Sequence, residues 1–357
     1  MKVATPHETA PTVEGAPEDH AQRSVARPPT AVEIAADRAF RALTLALAWG
    51  TILLVVLIVG EIFIQALPAM HRYGTAFLVA RDWDPGREQF GILPQIYGTL
   101  YTSILGLSIA TVLGLAVAVF LSEGFLATGI FALLKASGLA YRAPWDKMPE
   151  RIEGLLRVTV ELLAAIPSVV YGLWGIFVVI PFIRPFADWL FARLGWIPFF
   201  GTPLSGPGVL PASIVLAIMV LPTISAVSRD ALVRVPPKLR EAAFGLGATR
   251  WEAILAVFIP TAATGIFGSV VLGFGRALGE TMALAMLAGN ANVISLSVLS
   301  PANTLAALLA NSFPEAGKVE VGVLMYAALI LMSITLVVNA IGTWIVQRAT
   351  SSLEGLR

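Results

Sequence analysis

Six long apolar runs dominate this chain of 357 residues and limit the folds open to it. They lie at about 43–67, 96–122, 158–183, 208–227, 261–289 and 321–346. A helix needs about 20 apolar residues to cross a bilayer, and each run reaches roughly that length. Backbone in lipid must satisfy its own hydrogen bonds, so the runs predict helices rather than an open sheet. The sequence therefore predicts an all-α integral membrane protein with six transmembrane helices.

The composition supports this class and excludes several kinds of site. Hydrophobic residues make up 57% of the chain and charged residues 13%, which does not fit an ordinary soluble domain. Cysteine is absent, so a disulfide framework and a thiolate metal site are both excluded. His7, His20 and His71 all lie outside the apolar runs and cannot form a buried cluster. We expect no metal site, no cofactor and no catalytic residue in this chain.

The distribution of Lys and Arg predicts the orientation in the membrane. Seventeen of these residues lie in the N-terminus, 123–157, 228–260 and the C-terminus, against six in the three intervening loops. By the positive-inside rule, both termini and the 228–260 loop are expected to be cytoplasmic. Roughly the first 30 residues are rich in Pro, Ala, Glu and Thr and predict disorder, and residues 1–40 are taken together as a disordered cytoplasmic tail. Residues 31–42, which lead into the first span, favour a short helix. Residues 351–357 form the predicted C-terminal tail, and 41–350 the transmembrane domain.

The charged segment 228–260 has more structure than a simple connection between two spans requires. A helix is expected to begin at Pro236-Pro237, because proline is well tolerated in a first helical turn. Glycines at Gly245 and Gly247 predict a turn, and a second helix is expected from Trp251. The segment therefore predicts a helix-turn-helix at the membrane surface, suited to docking another protein.

Charged residues within the apolar runs are the next informative feature, because each costs about 2.5–3.5 kcal/mol or more at a helix centre. Arg276 and Glu280 are four residues apart in the fifth run, which would place them on one helix face where they can pair. One hypothesis is that they only lock helix packing. The other is that they line a transport pathway, where the forked donors of arginine suit an oxyanion. Both hypotheses stay open at this stage.

Two further residues of the third run are candidates for either a structural or a pathway role. Glu161 lies near the cytoplasmic start of the run, and Pro167 is expected to kink it. The chain has no phosphate-binding loop, because the Gly-Lys pair at Gly317-Lys318 is followed by Val319 rather than by Ser or Thr. If ATP drives this protein, another subunit must bind ATP and Mg²⁺ and hydrolyse the ATP.

A short pattern in the 228–260 segment resembles the signature of binding-protein-dependent ABC importer permeases. The pattern consists of Glu241-Ala242-Ala243, Gly247, Val257, Ile259 and Pro260, with Val and Ile where Ile and Leu are usual. The segments 83–103, 161–181 and 273–284 are similar to the phosphate-specific permeases of the PstC type, and 83–103 favours that type over PstA. The resemblance covers roughly residues 40–350. It offers no guidance on the N-terminal tail or on loop 123–157.

The resemblance implies a type I ABC importer permease fold with a cytoplasmic EAA coupling helix-turn-helix in the bacterial inner membrane. It implies three kinds of partner: an extracytoplasmic phosphate-binding protein, a PstA-like second permease and a cytoplasmic ATPase dimer. It also implies roles for two sets of residues: Arg276, Glu280 and Thr281 in the substrate pathway, and Glu241, Ala242, Ala243, Gly247 and Pro260 in ATPase coupling. Permeases for sulfate, molybdate or phosphonate remain alternatives, as does an ion-coupled secondary transporter.

Overall fold

The computed structural model describes residues 30–125, 129 and 148–354, which are almost entirely helical. The helices are α1 Ala31–Tyr73, α2 Ala76–Val79, α3 Leu93–Ser122, α4 Met148–Leu163, α5 Ser168–Leu194, α6 Val209–Val233, α7 Pro237–Gly245, α8 Arg250–Leu278, α9 Met282–Leu287, α10 Leu305–Ser312 and α11 Lys318–Glu354. Helices α5 and α8 contain π-helical segments at Gly175–Val179 and Ile254–Phe258. Single 3₁₀ turns occur at Pro85–Arg87, Pro198–Phe200 and Phe313–Glu315.

Within the described residues, six helices are long and apolar enough to cross a membrane: α1, α3, α5, α6, α8 and α11. This confirms the predicted fold class. The chain divides into two compact units, one reaching to Ile58 and the other beginning at Val59. The transmembrane core lies in the second unit. Residues 1–29, most of loop 123–157 and residues 355–357 lie outside the described residues, together with the predictions made for them.

Helix α6 forms the centre of the core, and α3 and α8 pack against it. Two thirds of its most apolar window is buried, as expected for a helix that is apolar all round. Glycines on its neighbours bring the backbones close: a Cβ at Gly106 of α3 would lie 3.0 Å from Leu216, and one at Gly273 of α8 would lie 2.9 Å from Val220. Small residues at helix crossings are typical of packing in membranes, where close approach replaces the hydrophobic effect.

Buried hydroxyl groups add polar contacts to this core. The Oγ atoms of Ser228 on α6 and Ser269 on α8 lie 2.8 Å apart. Near the start of α6, Ser213 Oγ donates to the carbonyl oxygen of Thr102 on α3 at 3.3 Å. Interhelical hydrogen bonds of this kind fix which faces meet in a bundle.

The third span differs from the prediction of 158–183. Residues Met148–Leu163 form the separate helix α4, and the span itself is Ser168–Leu194. The physical reason is Pro167, which disfavours helical geometry in the residue before it and begins α5 instead of kinking it. Charges at Arg157 and Glu161 give α4 a polar face, whereas a span needs apolar residues all round.

The fifth span also differs from the prediction of 261–289. It begins earlier, at Arg250, and ends at Leu278. Gly279 caps its C-terminus, and the short helix α9 begins at Met282. Three residues, Gly279, Glu280 and Thr281, therefore interrupt the helix that the apolar run predicted to be continuous.

The N-terminal tail was predicted to be disordered through residue 40, but helix α1 begins at Ala31. A reciprocal pair of hydrogen bonds starts this helix: the Thr30 amide donates to Glu33 at 2.6 Å, and the Glu33 amide donates to Thr30 Oγ1 at 3.3 Å. Such a capping box satisfies two of the free amides of a first turn. The prediction of disorder is therefore wrong for residues 31–40, while the short helix favoured over 31–42 is present as the start of α1.

The end of the bundle opposite to α7 carries a small two-stranded ribbon. Strands β1, Trp83–Asp84, and β2, Gln89–Phe90, pair antiparallel. Arg72 at the end of α1 pairs with Glu88 beside the ribbon, and Tyr73 donates to the carbonyl oxygen of the same residue at 3.2 Å. These contacts tie the end of α1 to the start of α3.

Candidate functional site

The predicted helix-turn-helix is present and consists of α7 and the start of α8. Helix α7 begins at Pro237, directly after Pro236. Gly247 forms the turn with a φ of +85°, a left-handed conformation that favours glycine. The second helix starts at Arg250 with a capping box between Thr249 and Glu252. Fixed turns at both ends make this segment a shaped element rather than a flexible loop.

Arg240 holds α7 against the ends of three spans. Its Nη1 donates to Glu123 Oε1 at 2.7 Å, just beyond the end of α3, and its Nη2 donates to the Leu232 carbonyl oxygen on α6 at 2.8 Å. The guanidinium also lies 4.4 Å from the ring centre of Phe258 on α8. Sequence reasoning missed this residue, although an arginine directly before Glu241 in a cytoplasmic loop was a visible signal.

Some of the EAA residues are buried in the protein and others are exposed on its surface. Ala243 is buried in a cluster with Ile254 and Phe258, whereas Glu241 and Ala242 are exposed. Pro260 is also exposed, on the first α-helical turn of α8 that follows its π-helical segment.

Apolar side chains surround the exposed EAA residues. Leu246 beside the turn is 90% exposed, and Phe244 and Trp251 are exposed as well. Exposed apolar side chains grouped among polar residues are typical of an interaction site.

Arg276 lies in the last turn of α8 and does not pair with Glu280. Its Nη1 donates to Thr223 Oγ1 on α6 at 3.1 Å, and the side chain remains exposed. The predicted pairing is wrong because residues i and i+4 meet only on a continuous helix, and α8 ends at Leu278. A cation in the last turn is favoured by the negative end of the helix dipole.

Glu280 and Thr281 lie in the interruption between α8 and α9. Glu280 is partly buried, and within the described part of the chain its carboxylate has no hydrogen-bond or ion-pair partner. The Thr281 hydroxyl donates to the Gly279 carbonyl oxygen at 3.2 Å and lines a cavity of about 390 Å³ with Ala306 and Leu331. Interrupted helices at membrane depth are tolerated where they face protein or a water-filled cavity.

A second cavity, of about 490 Å³, lies between α8 and α11. Its polar lining comes from Arg276, Asn339, Thr343 and Gln347. Arg276 and Thr281 therefore line two different cavities. Sequence reasoning named Arg276 and Thr281 but missed the polar residues of α11, whose four-residue spacing was a usable signal.

The two candidates of the third run lie away from these cavities. Glu161 is on α4, where its Oε1 accepts a hydrogen bond from Arg157 Nε at 2.9 Å. This hydrogen bond raises the pKa of the Arg157 guanidinium above its ordinary value. Pro167 is exposed at the start of α5, and neither residue lines the cavities at the helix interruption. A structural role fits both positions.

The segment 83–103 contacts the loop that follows α9. Tyr97 and Tyr101 donate to the carbonyl oxygens of Ser295 and Leu296 at 2.9 and 2.6 Å. The buried Gln95 donates to Asn292 Oδ1 at 2.7 Å. The segment thus orders the end of the bundle opposite to α7. Among the described residues, no cluster of His, Asp or Glu is suited to hold a metal ion.

Comparison with known proteins identifies the family. Residues 138–351 match the family described as "Binding-protein-dependent transport system inner membrane component". The chain is 38% identical over 306 residues to the phosphate transport system permease protein PstC of Haemophilus influenzae, covering 84% of this chain and 89% of that one. Against PstC of Mesorhizobium japonicum, identity is 37% over 321 residues, with 87% and 90% of the two chains covered.

A solved structure supports the same fold. A chain of a bacterial alginate ABC transporter, in complex with an alginate pentasaccharide-bound periplasmic protein, aligns with a TM-score of 0.56 at 17% identity. The alignment covers 88% of this chain and 97% of that chain. Together with the six spans, the matches show that this multi-pass membrane protein belongs to the inner membrane component family of binding-protein-dependent transport systems, among its PstC-type permeases.

Proposed function

We propose that this chain is the membrane-spanning permease subunit of an ATP-driven importer of inorganic phosphate. The observation that carries the proposal is the extensive likeness to relatives named as phosphate transport system permeases. The exposed apolar surface around Glu241 and Ala242 supports it, because an importer permease needs a docking site for its ATPase. ATP and Mg²⁺ are bound by that partner, not by this chain.

The helix interruption at Gly279–Thr281 is the proposed point of anion passage. The Arg276 guanidinium donates one hydrogen bond to Thr223, and its other donors have no partner among the described residues. Forked donors of this kind match the geometry of an oxyanion. The unpaired Glu280 carboxylate repels an anion that stays nearby, so it favours release over retention. Thr281, the next residue in the interruption, supplies a neutral hydroxyl.

Helix α7 is the proposed link between ATP hydrolysis and the spans. The ATPase contacts Glu241, Ala242 and the apolar side chains around Gly247, and Ala243 packs beneath them. Arg240 passes any displacement of α7 to α3, α6 and α8, because it contacts residues beside all three. A rigid element can transmit such a movement as a body.

The proposed partners follow from this arrangement. They are a cytoplasmic ATPase dimer below α7, a PstA-like second permease in the membrane and a phosphate-binding protein outside. The excess of Lys and Arg on the side of α7 supports an orientation with α7 and both termini in the cytoplasm.

The experiment that tests the function is phosphate uptake by cells that lack this chain and by the same cells with the chain restored. Uptake of radioactive phosphate is expected only in the restored cells. An excess of unlabelled phosphate should abolish it, whereas sulfate, molybdate and phosphonate should not. Competition by one of these anions at equal concentration would instead assign the permease to that oxyanion.

The energy source separates the importer from a secondary transporter. Uptake should survive a protonophore as long as cellular ATP is maintained, and it should stop when the ATPase partner is inactivated. Loss of uptake with the proton gradient alone, at constant ATP, would indicate an ion-coupled transporter.

A further inference from the structure

The cavity between α8 and α11 has several polar side chains in its lining. Its volume is about 490 Å³, within the range of about 300–1,000 Å³ that small-molecule sites occupy. Arg276 forms part of its wall on α8, and Asn339, Thr343 and Gln347 contribute from α11.

The three α11 residues form a row along one side of the helix. They are spaced four residues apart, so they follow one another along the helix surface. The Thr343 hydroxyl donates to the Asn339 carbonyl oxygen at 2.8 Å. Within the described residues, the carboxamides of Asn339 and Gln347 make no hydrogen bond. Open amides at membrane depth are costly in hydrocarbon, so this row is expected to face water or another polar group.

Gly275 brings the first member of the row to Arg276. A Cβ at position 275 would lie 2.9 Å from Asn339 Oδ1 and 3.3 Å from its Nδ2. The carboxamide therefore rests on the backbone of the residue directly before Arg276. Any side chain at position 275 would displace it.

We propose that Asn339, Thr343 and Gln347 form a neutral, hydrated row that receives the oxyanion from Arg276 and guides it towards the α7 end of the membrane. This inference rests on the proposed function. A neutral amide donates a hydrogen bond to an oxyanion without the Coulomb attraction between opposite charges that the Arg276 guanidinium adds. Neutral amides can therefore orient an oxyanion without holding it as Arg276 does. From Asn339 to Gln347 the row extends about 12 Å at 1.5 Å per residue.

Thiol labelling tests whether water reaches the row in the assembled transporter. The chain has no cysteine, so Thr343→Cys and Gln347→Cys introduce the only thiols of this subunit. Membranes that contain the complete transport system are treated with an anionic, water-soluble methanethiosulfonate. Both thiols should react, and phosphate should slow the reaction. Leu336→Cys is the control, because Leu336 is exposed on α11 but does not line the cavity.

Each outcome of the labelling decides the point. Failure of both row thiols to react would mean that lipid or a helix of another subunit covers the row, and the proposal would be wrong. Equal reaction of Leu336→Cys would also overturn it, because access would not be confined to the cavity. Slowing by sulfate but not by phosphate would keep the row and refute the proposed substrate.

A negative charge introduced into the row tests whether the anion passes along it. Asn339→Asp should lower the phosphate uptake rate by about tenfold or more, because a carboxylate repels the anion in a site of low dielectric. Ser333→Asp is the matched control, since Ser333 lies on α11 outside the cavity. Membrane abundance of both variants is measured by immunoblot. Wild-type uptake with Asn339→Asp would refute the row, whereas absent uptake by the wild type would refute the proposed function.

Discussion

Arg276 could be identified from the sequence, but its contacts could not. The sequence identified it as a costly charge within an apolar run, and the structure places it at a cavity beside an interrupted helix. Its partner could not be predicted from the sequence, because Thr223 is one of many hydroxyl residues and lies 53 positions away. A tertiary contact of this kind depends on how α6 and α8 pack. The proposed transport role of Arg276 stays a prediction.

The first prediction concerns Arg276 and Glu280 as separate groups. Arg276→Gln removes the charged donor and should reduce phosphate uptake by about 10- to 100-fold, equivalent to about 1.5–3 kcal/mol. Glu280→Gln should have a smaller effect. Because the two side chains do not contact one another, the double variant should transport no better than Arg276→Gln. Uptake rates are measured at equal membrane abundance.

Arg184→Gln is the control for the loss of a positive charge. Arg184 lies on α5 and is also exposed, but it does not line the two cavities beside the helix interruption. This variant should transport like the wild type. If the Arg276 and Glu280 double variant recovered full uptake, the two residues would act as a compensating pair, and Arg276 would not be a transport residue.

Among the elements, the EAA segment was predictable and the third span was not. Proline and glycine act locally, so Pro236, Pro237 and Gly247 were sufficient to predict a helix, a turn and a second helix. The third span was placed too early because the apolar residues continue on both sides of Pro167. The charged residues on one face of α4 were the signal that this helix is separate from the span.

The second prediction separates the turn at Gly247 from its neighbour. Neither Gly245 nor Gly247 has an atom within 4 Å of an added Cβ, but only Gly247 has a positive φ. Gly247→Ala should therefore cost about 1 kcal/mol or more and uncouple ATP hydrolysis from uptake. Gly245→Ala lies in helix α7 and should leave coupling unchanged. The measurement is phosphate imported per ATP hydrolysed, and equal ratios for both variants would contradict the role of the turn.

The third prediction concerns the attachment of α7 by Arg240. The Glu123 side chain is only 10% exposed, so Arg240→Ala leaves a nearly buried carboxylate without its cation. We expect a loss of about 3 kcal/mol in stability and a corresponding loss of ATP-driven uptake.

The double variant Arg240→Ala with Glu123→Gln tests the cause of that loss. It should recover part of the thermal stability, because the uncompensated charge is gone, but it should not recover transport. Lys238→Ala is the control on the exposed face of α7. Thermal unfolding and uptake are measured together, and an unaffected Arg240→Ala would show that α7 is held by packing alone.

At the scale of the whole molecule, the number of spans followed from the sequence because hydrophobic length is a physical requirement of the bilayer. The interruption at Gly279–Thr281 could not be predicted from the sequence, because residues 261–289 are apolar enough to be interpreted as one helix. Hydropathy measures transfer into lipid and is insensitive to a break that faces protein. Hydropathy likewise gives no information about cavities between helices, so the two cavities could not be predicted from the sequence.

The fourth prediction tests the orientation of the whole chain. Gly317 and Gly154 are exposed and have open space around an added Cβ, so cysteine should be tolerated at both positions. An impermeant thiol reagent added to intact cells should label Gly317→Cys. It should label Gly154→Cys only after the cells are opened. Labelling of Gly154→Cys from outside would reverse the orientation that the Lys and Arg distribution favours.

The glycines along α3 have a consequence for the synthesis of this protein. Gly106 and Gly114 form part of the groove that receives Leu216 and Ile224 of α6. Helix α3 ends at Ser122 and α6 at Val233, so the ribosome adds more than a hundred residues between them. At about 5–20 residues per second, the groove is complete roughly ten seconds before its occupant. During that interval lipid, the insertion machinery or an earlier helix of the chain must cover it, and α3 reaches its final packing only after α6 has entered the membrane.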